Sequence, residues 1–314
     1  MSLKQISGSR LALGMGDSPS RSATAGRSYL RLNADEDRRL DHLDRPVLVC
    51  GRAEGALTLL PPRSVQTVVT SPPYWSLRDY EVPDQIGCND GLGEYVKSIV
   101  VAFDQVRRVL ADDGTVWLNV GDSYTSGNRK YRAPDRKNRA RAMPIRPPTP
   151  QGLKPKDLIG VPWRLALSLQ DAGWWVRSEV IWYKPNAHPE SVRDRPTKSH
   201  ETVFLLSKQQ NYYYDVSAVK GPNGRRLRTM WAINTEPRRR SAGGIADHPA
   251  VMPMTLARRC IKITSRPGDV VLDPYAGSGT TLLAAQELGR FWVGVELKPD
   301  YVDLIERRLA DQPI

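Results

Sequence analysis

Val65-Gln66-Thr67-Val68-Val69-Thr70-Ser71-Pro72-Pro73-Tyr74-Trp75 is the stretch from which the rest of the chain is read. The run Val65 to Val69 spells a buried strand, and two prolines stop it at its carboxyl end, because proline cannot donate to a sheet ladder. In a parallel α/β sheet that end is where ligands sit. With φ fixed and no backbone N–H, Pro72 and Pro73 offer carbonyl acceptors on a rigid support, and Tyr74 adds an aromatic face. Such a turn suits a flat group that donates hydrogen bonds. The plainer reading is a Pro-Pro turn that closes a strand, with Tyr74 as rim packing.

One flat donor needs this combination. The exocyclic amine of a cytosine or an adenine has its lone pair delocalised into the ring. If the Ser71 hydroxyl and the Pro72 carbonyl hold both its hydrogens, the nitrogen turns pyramidal and exposes that pair to an electrophile. Tyr74 then stacks on the base, which must first leave the duplex to reach any pocket.

A second stretch, Asp269-Val270-Val271-Leu272-Asp273-Pro274-Tyr275-Ala276-Gly277-Ser278-Gly279-Thr280-Thr281, reads as strand, glycine turn and the start of a helix, Thr281 to Leu288, closed by Gly289. The glycines let backbone amides approach a ligand closely. No Gly-Lys pair follows, so it is not a Walker loop, and the third glycine of the dinucleotide fingerprint is missing. Asp273 repels phosphate but suits an ammonium or a sulfonium. About twenty residues past Gly277, the strand Phe291 to Val295 ends at Glu296, where an acidic residue takes a ribose diol in Rossmann-like folds. Together these features describe a site for a nucleoside without phosphate, and S-adenosylmethionine fits.

Here the chain resembles the amino-directed DNA methyltransferases, which modify cytosine N4 or adenine N6. Ser71-Pro72-Pro73-Tyr74 is similar to the family's catalytic tetrapeptide, and Asp273, Pro274, Tyr275, Ala276, Gly277, Ser278, Gly279, Thr280 and Thr281 to its cofactor loop. Gly289 to Leu297 and Ile181-Trp182-Tyr183-Lys184-Pro185-Asn186 resemble further family segments. The catalytic element precedes the cofactor element, the permuted order of the beta group. The resemblance runs from about Val47 to Leu309 and implies a Rossmann-like α/β fold with a mixed sheet, helices on both faces and a small DNA-recognition region. It also implies S-adenosylmethionine as cofactor, duplex DNA with a flipped base as substrate, and room for a cognate restriction endonuclease and a homodimer. The family often places an acidic residue after the glycine that follows the strand Val47 to Cys50, to hold the cofactor's adenine. Here Arg52 follows Gly51, and the nearest carboxylate is Glu54. Cytosine N4 is the expected target, because Ser rather than Asp before Pro-Pro-Tyr is more often seen in that branch. Adenine N6 stays open, as do an RNA or protein amide methyltransferase and a catalytically silent DNA-binding protein.

Composition agrees with a nucleic-acid partner. The 314 residues have room for one large domain and an accessory lobe. A net charge of +12 implies a polyanion, although RNA or an acidic membrane surface would satisfy basicity alone. The three scattered cysteines, Cys50, Cys88 and Cys260, spell neither a disulfide framework nor a zinc site and suit a reducing compartment. No stretch approaches membrane-spanning length and the start lacks a signal-peptide core, so a cytoplasmic protein is expected.

Residues 1–44, rich in Ser, Gly, Arg and Asp, read as a disordered or loosely attached tail. Residues 45–208 form the catalytic half. Within it, Ser76 to Gly93 reads as a flap, Glu94 to Leu110 as a helix, Asp112-Asp113-Gly114 as a turn and Thr115 to Val120 as a strand followed by Asp122, a loop cap rather than a catalytic acid. The insertion 123–157 carries Arg129, Lys130, Arg136 and Arg139 among Pro, Gly, Asn and Ser, a solvated loop or a phosphate grip. A helix Trp163 to Ala172 leads to strands Trp174 to Tyr183 and Glu201 to Leu206. By the resemblance their connection lies beside the flipped base, so Lys184 and Asn186 are candidates for base or phosphate contact, while His188 and His200 are structural. Residues 209–247 resemble the target-recognition region, with Tyr212 to Tyr214 interleaved with basic residues such as Arg225, Arg226 and Arg228. The alternative there is a surface loop clamped by Trp231. Residues 248–314 form the cofactor half, where a helix from Met254 to about Thr264 presents amides to a carboxylate at its start.

Overall fold

The computed structural model describes residues 29–36, 38–126, 131, 146–187, 189–236 and 251–311. In chain order the strands and helices are β1 (Leu30–Asn33), β2 (Val47–Cys50), α1 (Ala53–Thr58), β3 (Val65–Thr70), α2 (Leu92–Val109), β4 (Leu110–Val120), α3 (Val161–Asp171), β5 (Trp175–Tyr183), β6 (His200–Ser207), β7 (Met230–Ala232), α4 (Met254–Thr264), β8 (Val270–Asp273), α5 (Thr280–Glu287), β9 (Phe291–Glu296) and α6 (Pro299–Ala310). The strands form one sheet in the order β1-β2-β9-β8-β3-β4-β6-β5-β7. All neighbours are parallel except where β6 runs antiparallel between β4 and β5.

Both faces of this sheet are covered, which is why its strands read as nearly continuous apolar runs. Val49, Val68, Leu118 and Leu272 pack with residues of α1, α2 and α3. Their neighbours Leu48, Val69, Trp117 and Val271 pack with residues of α4, α5 and α6 on the other side. Three helices per face thus bury alternate residues of each strand.

The register decides the site. Thr67 and Val68 of β3 pair with Val271 and Leu272 of β8, so the two segments separated by some two hundred positions end on the same rim. Because β6 is reversed, its first residues also reach this rim, with Thr202 opposite Val120 and His200 opposite Tyr183.

Three expectations are corrected. Leu30–Asn33, inside the expected tail, is an edge strand parallel to β2, and Leu32 is buried. Its two leucines gain a partner only through a long-range pairing. Asp112 to Gly114 is no free turn, because Leu110 already pairs with Val65 and the intervening residues bulge before Thr115 meets Thr67. Within 209–247, Met230–Ala232 is a strand of the main sheet, and Trp231 is buried against Trp117 with ring centroids 5.6 Å apart. Arg129, Lys130, Arg136, Arg139 and His188 lie outside the described residues. Among those described, no helix is long and apolar enough to cross a membrane.

Candidate active site

The rim where β3 and β8 end is tied together by side chains. Thr70 Oγ1 donates to Asp273 Oδ1 at 2.7 Å, and Thr281 Oγ1 donates to the Val69 carbonyl at 3.1 Å. Asp273 Oδ1 also accepts from the Tyr275 amide at 3.1 Å. The end of β3, from which the turn Ser71-Pro72-Pro73-Tyr74 leaves, and the loop 273–281 are therefore bonded neighbours.

On the β3 side, Tyr95 Oη of α2 donates to the Pro73 carbonyl at 2.9 Å and steadies the two prolines. The Tyr74 ring lies against Gly121, where an added Cβ would come within 2.6 Å of Tyr74 Cε2, so only glycine lets the backbone pass beneath it. Tyr74 Oη donates to Glu201 Oε2 at 2.7 Å. Asn119 Nδ2 lies 3.0 Å from Ser71 Oγ, 2.9 Å from Tyr74 Oη and 2.9 Å from Glu201 Oε2. Lys184 closes the network by pairing with Glu201, and its ammonium also sits 4.3 Å from the Trp182 ring centroid. Burial pushes the Tyr74 hydroxyl well above its ordinary range, and the adjacent Glu201 charge adds to this. Tyr74 thus stays neutral.

Asp122, as expected, is a cap. Its carboxylate accepts from the amides of Ser123, Gly160 and Val161 at 2.8 to 3.0 Å and holds the start of α3. The region expected as a flap is internally bonded. Trp75 Nε1 donates to the Asp90 carbonyl at 2.9 Å, Ser76 N to the Gly87 carbonyl at 2.7 Å, and Lys298 Nζ ties it to the cofactor half through the Tyr80 carbonyl at 2.9 Å.

On the β8 side, Gly277 and Gly279 adopt left-handed φ of 55° and 78°, which folds the loop so that the Gly277 amide reaches Glu296 Oε2 at 2.8 Å. Glu296 Oε1 accepts from the Lys298 amide at 2.9 Å. Burial raises the Asp273 carboxyl to about 6 and that of Glu296 to about 7, with hydrogen bonds offsetting part of the shift. A cationic ligand beside Asp273 and a diol beside Glu296 would relieve that burial.

The residues present fit S-adenosylmethionine on a further observation. Arg52 grips Glu54 Oε1 through Nε at 3.0 Å and Nη2 at 2.5 Å, while Glu54 Oε2 and the hydroxyl of Tyr275 are both buried with no hydrogen-bond partner among the described residues. A carboxylate acceptor and a phenol donor match the amine and ring nitrogens of an adenine. Glu54 offers a free carboxylate oxygen three residues after Gly51, where Arg52 offers none. The start of α4 does meet a carboxylate, but one from the chain itself, as Glu236 Oε1 accepts from the Met254 amide at 2.7 Å.

The raised carboxyls have a measurable consequence. The folded protein binds these protons more tightly than the unfolded chain, so the stability of the neutral forms is complete below about pH 4 and is lost as pH rises through the raised values. The cofactor's cation and diol favour the ionised forms, so its binding at about pH 6 releases protons. Calorimetry in two buffers of different ionisation enthalpy checks this, and identical heats would contradict it.

The other candidates are dispersed. Asn186 clamps the chain after β7, accepting from the Thr235 amide at 2.8 Å and donating to the Thr235 carbonyl at 3.0 Å. Arg225, Arg226 and Arg228 are exposed, but they precede β7, which runs toward the rim, so they lie away from Tyr74. Tyr213 is a correction. It bonds to the Asp113 carbonyl at 2.9 Å, at the opposite end of β4, and Arg266 covers its ring at 3.7 Å. The base of the insertion is closed by Thr125 Oγ1 donating to the Lys154 carbonyl at 2.7 Å and by a bridge between Tyr124 and Leu158.

Sequence reading missed Asn119 and Glu201 as neighbours of Ser71 and Tyr74, and named Glu54 only as the carboxylate nearest Gly51. The available signal was polarity out of place: Asn119 interrupts an apolar strand, and Glu201 opens another.

Comparison with known proteins shows the family. Residues 65–307 match a family described as DNA methylase, the N6 and N4 methyltransferases. The chain is 50% identical over 298 residues to the Type II methyltransferase M.Cfr9I of Citrobacter freundii, covering 94% of this chain and 96% of that one. It is 53% identical over 268 residues to M.SmaI of Serratia marcescens, covering 83% and 90%. Its fold matches the PvuII DNA methyltransferase (cytosine-N4-specific) with a TM-score of 0.64 at 23% identity, over 85% and 87% of the two chains. A DNA modification methylase structure from Thermus thermophilus in complex with S-adenosyl-L-methionine matches with a TM-score of 0.58 at 26% identity, over 84% and 92%. The chain therefore belongs to the amino-directed N6 and N4 DNA methylases, enzymes that use S-adenosylmethionine.

Proposed function

We propose that this enzyme methylates the exocyclic N4 of cytosine in duplex DNA. The observation that carries the reading is Ser71 followed by Pro72 and Pro73 on the same rim as Asp273, with Thr70 bonded to Asp273 at 2.7 Å. A serine and a proline carbonyl give a pyrimidine amine its acceptors. The PvuII enzyme, whose fold the chain shares, is cytosine-N4-specific.

S-adenosylmethionine, when bound, supplies an electrophilic methyl on a sulfonium. Everything else is alignment by the chain. Tyr74, held by Glu201 and backed by Gly121, offers its ring to an everted base. Ser71 and the Pro72 carbonyl hold the amine, and the buried setting strengthens those contacts. No cysteine step is invoked, because Cys50, Cys88 and Cys260 lie outside both the turn 71–74 and the loop 273–281, and burial raises all three thiols.

The basic insertion 123–157 supplies phosphate contacts and sequence reading, Lys184 stands beside Glu201 at the rim, and Arg225, Arg226 and Arg228 of the segment 209–247 meet phosphates away from the target base. As its relatives are Type II methyltransferases, the enzyme protects DNA against a restriction endonuclease of the same site. Incubation with S-adenosylmethionine and unmodified DNA, followed by mass spectrometry of the nucleosides, tests the target. N4-methylcytosine is expected; 6-methyladenine would refute the choice of base, and no modified nucleoside would refute the activity.

A further inference from the structure

Glu201 stands at the start of β6 with both oxygens engaged. One pairs with Lys184, and Oε2 accepts from Tyr74 Oη at 2.7 Å and Asn119 Nδ2 at 2.9 Å. Burial alone would raise its carboxyl, but Lys184, Tyr74 and Asn119 outweigh burial and hold it below the usual range, so it only accepts hydrogen bonds. An acceptor-only neighbour settles which way round the Asn119 amide sits: its nitrogen faces Glu201.

That nitrogen has two hydrogens and three oxygens within reach. Glu201 Oε2 and Tyr74 Oη are 2.7 Å apart and each 2.9 Å from it, so they subtend far less than the ~120° between the hydrogens of a planar amide and share one of them. The other hydrogen goes to Ser71 Oγ at 3.0 Å. A hydroxyl that accepts from Asn119 turns its own hydrogen elsewhere, toward the Tyr74 oxygen while the pocket is empty, and keeps one lone pair open. Asn119 Oδ1 is buried with no partner among the described residues, so the same amide has an acceptor left for a ligand's donor.

We propose that Ser71 donates its hydrogen to the ring nitrogen beside the target amine, with Glu201 as the positioning residue that fixes this polarity through Asn119. The proposal rests on the reading of the rim as a pocket for an everted amino-bearing base. It adds a specificity device to that reading. Cytosine presents an acceptor ring nitrogen next to a donor amine, which matches a donating Ser71 with an open lone pair. Thymine presents the reverse pattern and is refused, because two donors would face each other.

Duplex DNA whose target cytosine is replaced by 3-deazacytosine keeps the amine and loses the ring nitrogen. Single-turnover methyl transfer is measured on both DNAs for the wild type, Ser71→Ala and the double variant Lys184→Met with Glu201→Leu, which removes both acceptor oxygens and leaves no lone buried cation. The analogue is expected to slow the wild type ~10-fold or more, the value of one buried hydrogen bond. Ser71→Ala should be slowed by a similar factor on normal DNA and lose no more on the analogue. The double variant, with no acceptor left for Asn119, should lose sensitivity to the analogue while binding S-adenosylmethionine as the wild type does, because the partners of Glu201 are Tyr74, Asn119 and Lys184, none of them in the cofactor half. Penalties of Ser71→Ala and the analogue that multiply would overturn the donor role. A double variant that keeps the full analogue penalty would overturn the positioning role. Should unmodified DNA yield 6-methyladenine, the cytosine reading fails separately, and the same comparison is made with 1-deazaadenine.

Discussion

Tyr74→Ala loses about 100-fold or more in methyl transfer, because a stacked base is worth about 1–3 kcal/mol and misalignment of the amine adds to that loss. Its affinity for S-adenosylmethionine stays within about threefold, since the partners of Tyr74, Glu201 and Asn119, belong to β6 and β4 and not to the loop 273–281. Tyr74→Phe separates ring from hydroxyl. It keeps the stacking face and removes the hydroxyl's bonds to Glu201 and Asn119, so it retains most of the activity. Single-turnover rates and equilibrium cofactor binding for the three proteins make the comparison. A Phe variant as impaired as the Ala variant would show that the hydroxyl, not the ring, carries the role.

Asp273→Asn gives the opposite pattern. Its side chain keeps the shape and an acceptor for Thr70 Oγ1, now at 2.7 Å from Asp273, but it loses the negative charge that suits a cationic donor molecule. Affinity for S-adenosylmethionine falls about 10- to 100-fold, the range for a charge-assisted contact in a buried site, while turnover at saturating cofactor falls much less. The free protein is no less stable at neutral pH, because a carboxyl with its pKa raised to about 6 is costly to ionise there. Isothermal titration and a thermal melt read both effects. Equal affinity in the wild type and the variant would remove Asp273 from the cofactor site.

Most of the sheet and both halves of the site were legible because their signals are local. Two prolines after a β-branched run, a Gly-x-Gly turn between strand and helix, and helical periodicity each appear within a short window, and Met254–Thr264 and Val65–Thr70 form as read. What escaped depends on partners far along the chain. Leu30–Asn33 and Met230–Ala232 are too short, within polar and basic surroundings, to announce strands, and each forms only because an edge of the sheet is there to receive it. Asp112 to Gly114 carries a turn signal that the pairing of Leu110 with Val65 overrides. Asn119 and Glu201 are 82 positions apart and meet only because β6 runs antiparallel to β4. The arginine-rich composition of 209–247 identified basic surface but not its place. The register of β7 puts Arg228 short of the rim, a fact that composition does not contain.

The most direct measurement is a structure of the enzyme bound to duplex DNA and S-adenosylhomocysteine, the product that mimics the spent cofactor. The account requires one base turned out of the helix, its ring against Tyr74, its amine at Ser71 and the Pro72 carbonyl, and the cofactor between Asp273 and Glu296 with its sulfur facing that amine. A base still stacked in the duplex, or an amine and a sulfur held on opposite sides of the sheet, would contradict it.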